Sequence, residues 1–89
     1  MASIKAFKKE INNTIGGLIE EIYLWELTNP SSDLTASEAI IDEAIHLFDE
    51  LIQQINATTK EERPQRFPEI RSAFQAGAST IETKINQLG

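Results

Sequence analysis

Glu43-Ala44-Ile45-His46 is the segment with the most specific chemical pattern, because Glu-x-x-His on a helix supplies two ligands to carboxylate-bridged di-iron sites in helical bundles. Such a site needs a second pair of the same kind, with all ligands aimed inward. His46 is the one histidine of the 89 residues. At about 100° per residue, Asp42, His46, Asp49, Glu50 and Gln53 gather on the side of their helix opposite its apolar stripe, so they are expected to face water. A Ser/His/acid arrangement would have to recruit that same imidazole, and there is no cysteine to act instead. Glu20-Glu21 and Asp49-Glu50 are sequence neighbours, about 100° apart on a helix, and so do not flank one bond. Gly16-Gly17 lacks the spacing and the lysine of a phosphate-binding loop. The inventory therefore argues against an enzyme. It assigns no catalytic, metal-binding or cofactor-binding residue, and no cofactor.

Charge narrows the partners. Residues 1–9 carry three lysines and no acid, whereas residues 10–59 carry ten acids and neither lysine nor arginine. Residues 60–89 bring five bases and four acids, leaving a net charge of −6. A fifty-residue stretch without a cation repels a phosphate backbone, so nucleic acid is not an expected partner. No apolar run approaches the roughly 20 residues needed to span a bilayer, which argues against a membrane protein. After Lys5, Lys8 and Lys9 the sequence alternates apolar with polar residues and offers no apolar core of a secretory signal. With no cysteine for disulfides, a cytoplasmic protein is the expectation.

The elements that carry these residues follow from spacing. Ile4, Phe7, Ile11, Ile15, Leu18, Ile22 and Trp25 recur every three or four residues, which predicts a helix over residues 3–28, about 39 Å long. Asn29-Pro30 ends it. A second helix is predicted over 35–57, opened by a capping box between Thr35 and Glu38 and striped by Ile41, Ala44, Ile45, Phe48, Leu51, Ile52 and Ile55. Residues 58–66 are polar and contain Pro64, and they read as the second connection. A third helix is predicted over 67–88, with Pro68 in its first turn and Phe67, Ile70, Phe74, Gly77, Ala78, Ile81, Ile85 and Leu88 on its stripe. The chain thus reads as one domain over 1–89, an all-α, three-helix antiparallel up-down-up bundle. Its expected core is Ile11, Leu18, Ile22, Trp25, Ile41, Ile45, Phe48, Ile52, Phe74, Ile81 and Ile85.

Three features of the first helix exceed what a bundle requires. Tyr23, Leu24 and Leu27 lie off the stripe, so Ile22–Leu27 is apolar nearly all round. Either Pro30, Leu34 and the first connection fold over them, or they form a contact surface for a second copy or another protein. Gly16-Gly17 costs about 1 kcal/mol of helix propensity per glycine, which close backbone approach to the third helix or a kink would account for. Finally, lysines at the helix start and Glu20, Glu21 and Glu26 towards its end oppose the helix dipole.

The ordered set Ser3-Ile4-Lys5-Ala6-Phe7-Lys8-Lys9-Glu10-Ile11-Asn12, Gly17-Leu18-Ile19-Glu20-Glu21 and Tyr23-Leu24-Trp25-Glu26-Leu27-Thr28-Asn29-Pro30 resembles the N-terminus of a family of short uncharacterised bacterial all-helical proteins. The resemblance covers about the first third of the chain. It implies a bacterial, cytoplasmic protein and transfers no site residue. The functional expectation is a non-enzymatic interaction module or small homo-oligomer, contacting a second copy or an unidentified protein through Tyr23, Leu24 and Leu27. The alternative is a small-molecule or metal-handling protein using the acidic face around Asp42, His46 and Glu50. Exposure of Tyr23, Leu24 and Leu27 discriminates between the two.

Overall fold

A computed structural model describes residues 4–88. Three helices, α1 (Ile4–Thr28), α2 (Thr35–Ala57) and α3 (Arg63–Asn86), each pack against the other two in an antiparallel up-down-up bundle. Position 3, the expected start of α1, lies outside the described residues. The molecule is a rod of 51 × 16 × 16 Å with a radius of gyration of 14.8 Å, against about 12 Å for a compact chain of this length.

The interior follows the three- and four-residue spacing. Phe7, Ile11, Ile15, Leu18 and Ile22 of α1 meet Ile40, Ala44, Leu51 and Ile55 of α2 and Ile70, Phe74, Ile81 and Ile85 of α3 in one core. Four expected core residues need correction. Ile45 is 46% exposed, and Trp25, Phe48 and Ile52 are half-buried. The apolar arc of α2 runs from Leu47 to Ile45, and its middle faces both neighbouring helices. Leaving Ile40 and Leu47 out of the stripe turns the inferred face towards Phe48, whereas the buried side centres near Ala44.

The helix ends are held by short polar side chains. At the C-terminus of α1, the Thr28 hydroxyl reaches the Leu24 and Trp25 carbonyls, and Asn29 Nδ2 donates to the Trp25 carbonyl at 2.9 Å. The Trp25 carbonyl is one of the last four of the helix, which have no regular donor within it. The capping box expected between Thr35 and Glu38 does not form, since the Glu38 N–H donates to the Leu34 carbonyl. Asp33 occupies that role, accepting from both the N–H and the hydroxyl of Thr35 at 2.9 and 2.6 Å.

A capping box does form ahead of α3. Glu62 accepts from the Thr59 N–H and hydroxyl, and the Glu62 N–H donates back to the Thr59 hydroxyl. It starts α3 at Arg63 rather than Phe67, so Pro64 stands in the first turn and Pro68 lies inside the helix. Pro68 leaves the Pro64 carbonyl without its usual helical donor.

Both capping carboxylates are held below their ordinary values. For Asp33 the main cause is the Thr35 hydroxyl, followed by the Thr35 N–H; for Glu62 it is the Thr59 N–H, followed by the Thr59 hydroxyl. Because they ionise at lower pH folded than unfolded, the unfolded chain binds more protons in that window and their stabilisation fades as pH falls. The melting-temperature gap between the native chain and an Asp33→Asn, Glu62→Gln variant should be constant above about pH 5 and close below about pH 3. A gap independent of pH would show that the ionised caps contribute nothing.

Candidate functional site

Glu43 and His46 are brought to the edge of a groove, not into the core. Both Glu43 carboxylate oxygens accept from Lys84 Nζ of α3, at 2.8 and 2.7 Å. That bond crosses between α2 and α3 and fixes Glu43 as a structural tie. His46 is exposed, with Nε2 3.4 Å from a Glu50 oxygen one turn along. Asp42, Asp49 and Gln53 are exposed as the spacing predicts. Among the described residues, no group of three or more His, Cys, Asp or Glu is placed to hold a metal ion.

The groove below His46, of about 320 Å³, runs between α2 and α3 past Leu47, Gly77 and Thr80. Leu47 lies directly on Gly77: a Cβ at that position would come within 2.7 and 2.8 Å of the two Leu47 δ-carbons. Glycine at 77 is therefore what lets α2 seat a leucine against α3. Gly16 and Gly17 are different. A Cβ at either would meet nothing within 4 Å, so the expected close approach of these glycines to α3 does not occur.

At the end of the bundle where α1 and α3 begin, Phe7 and Phe67 pack with ring centroids 5.5 Å apart. The Arg71 guanidinium lies over the Phe7 ring at 4.7 Å and forks onto Glu10 at 2.9 and 3.3 Å. Lys8 Nζ also donates to Asn56 Oδ1 at this end. None of these partners is evident in the sequence, because a helical stripe reports a residue's face but not its height against another helix. The arginine is occupied on both sides, by a carboxylate and by a ring, and the cluster reads as packing.

The remaining site is the outward face of α1. Tyr23, Leu24 and Leu27 are 52%, 61% and 77% exposed. The first connection does not cover them. Pro30 is itself exposed, and Leu34 is half-buried at the start of α2. Ser37, fully buried, lies under this end of α1, its hydroxyl 2.6 Å from a Glu26 oxygen and 2.9 Å from the Leu34 carbonyl. This contact holds the entry to α2 against the last turns of α1, and with it the register of the exposed patch. Among the described residues, no helix is long and apolar enough to cross a membrane.

Comparison of the chain with protein-family models, with curated proteins and with solved structures finds no match. The fold is an all-α three-helix bundle.

Proposed function

We propose that this chain is a non-enzymatic protein-interaction module that binds through the outward face of α1 near its C-terminus. One observation carries the reading: Tyr23, Leu24 and Leu27, three large side chains within two turns, all lie open to solvent. Single exposed apolar residues are ordinary on protein surfaces, but a contiguous group marks a contact site. Tyrosine is among the residue types that most often anchor an interface, since it covers a large area with few rotatable bonds. The groove beside His46 offers less, because its acidic Glu43 is already bonded to Lys84.

The test is a Tyr23→Glu, Leu27→Glu double variant, examined by sedimentation over a range of concentrations and by capture of binding proteins on immobilised chain. Both positions are off the buried stripe, so the helical circular-dichroism signal and cooperative unfolding should persist while association disappears. Association that survives both charges would remove this face from consideration. Unfolding of the double variant would show that the patch is internal packing.

A further inference from the structure

We infer that the partner of this face is a second copy of the chain, with α1 packed antiparallel on α1 and crossing at Gly16-Gly17. The inference rests on the module reading and names its partner. At about 100° per residue, Gly16, Glu20, Tyr23, Leu24 and Leu27 fall on one stripe about 100° wide, directly opposite the buried stripe of Phe7, Ile11, Ile15, Leu18 and Ile22. Lys9 and Asn13 continue it towards the N-terminus. Gly16 thus stands within the exposed stripe, beside a groove it shares with Ile45 and Phe48 of α2, and Gly17 lies about 20° beyond the stripe's edge; a Cβ at either would meet nothing within 4 Å in the monomer. Small residues there allow a second helix axis to approach to about 8 Å, the near limit for helix packing.

Charge selects the orientation. An antiparallel pair crossing at Gly16-Gly17 sets Asn13 level with Glu20 of the second copy and Lys9 level with Leu24 of the second copy. The Asn13 amide can then donate to that carboxylate. The Lys9 stem covers the leucine while its ammonium sits one turn from the same Glu20. A parallel pair would instead stack lysine on lysine and glutamate on glutamate. On this face the charge order is lysine first and acid last, Lys9 then Glu20, which opposes the helix's own dipole but matches an inverted copy. The outer face of α2, with Glu38, Asp42 and Asp49 exposed, would repel itself.

A helix of 25 residues offers a face about 37 Å long and roughly 10 Å wide, so about 400 Å² per copy, about 800 Å² in all, is covered, below the standard specific interface and in the range of weak, transient contacts. Self-association should therefore be reversible and concentration-dependent in the micromolar range.

Sedimentation equilibrium of the full chain should show the mass rising from 10.0 kDa towards twice that value. A Gly16→Gln, Gly17→Gln variant keeps Tyr23, Leu24 and Leu27 but fills the crossing. It should raise the monomer's melting temperature, because glutamine is the better helix former and meets open space, and weaken dimerisation at least about ten-fold, a loss of about 1.4 kcal/mol. Lys9→Cys mixed with Leu24→Cys should be joined by a short bis-maleimide, and neither should link to itself. A dimer indifferent to the two glutamines, or cysteine variants that each self-link, would overturn the antiparallel crossing. A native chain that stays monomeric to millimolar concentration would overturn pairing with a second copy. If Tyr23→Glu, Leu27→Glu then still abolishes capture of another protein, the module reading stands without this inference. A dimer unaffected by those two glutamates removes both.

Discussion

Ile11→Ala should lower the melting temperature by roughly 12–24 °C, among the larger losses expected from a single truncation on α1. Ile11 is completely buried at the centre of the stripe that α1 presents to both other helices. Removing its three outer carbons costs their transfer free energy and leaves a cavity that the neighbours fill incompletely, together about 3 kcal/mol. At about 0.05–0.15 kcal/mol per residue a chain of this size has on the order of 5–10 kcal/mol in all, and each kcal/mol corresponds to about 4–8 °C in a small domain. Leu24→Ala, on the same helix but 61% exposed, should change the melting temperature of the monomer by no more than about 3 °C. Thermal unfolding at a concentration too low for association gives both numbers. Equal losses at the two positions would contradict the assignment of opposite faces to α1.

Ser37→Ala should cost about 2 kcal/mol, far more than an ordinary serine-to-alanine change in a helix, where alanine's higher propensity would favour the variant. The Ser37 hydroxyl is fully buried and 2.6 Å from the half-buried carboxylate of Glu26. A hydrogen bond to a charged group contributes about 1.5–3 kcal/mol, and its loss leaves the carboxylate desolvated without a donor. A double-mutant cycle with Glu26→Gln isolates the pair: the Ser37→Ala penalty should shrink once the charge is gone. The variant should also loosen the first connection, measured as faster amide exchange at 33–38. A stabilised Ser37→Ala would mean that the hydroxyl–carboxylate contact contributes nothing net.

The helices were legible because their residues repeat at helical spacing and because proline stops α1. The bounds of α2 agree with the expectation at both ends, although the side chain that caps it is Asp33 and not Thr35. The start of α3 was not legible in the same way. Thr59 and Glu62 carry the same hydroxyl-x-x-Glu signal as Thr35 and Glu38, but it lies before Pro64, outside the apolar repeat. Here the local hydrogen bonds of the cap outweighed the proline as a boundary marker. Ile45 shows a different limit. Period alone identifies an apolar arc, but which part of a wide arc is buried depends on the directions of two packing partners, and these are fixed by tertiary structure. The same holds for Glu43, whose lysine partner is 41 residues away in sequence.

The exposed patch is a converse case. Tyr23, Leu24 and Leu27 stood out because they break the amphipathic pattern, and a residue that a bundle does not need is visible against one that it does. Whether the first connection covered them was a question of chain path, answered by the exposed Pro30 and by the bond from Ser37 to Glu26.

The rod shape of 51 × 16 × 16 Å has a consequence for rotational diffusion. Helical N–H bonds lie nearly along the helix axis, and in this molecule the three helix axes run with the long dimension. Their nitrogen-15 relaxation therefore senses end-over-end tumbling and is almost blind to spinning about the rod. Amides in the connections at 29–34 and 58–62 that point across the rod sense both motions. They will relax as if they belonged to a smaller particle even when held as rigidly as the helices, so an isotropic treatment would convert bond direction into apparent flexibility at these two segments.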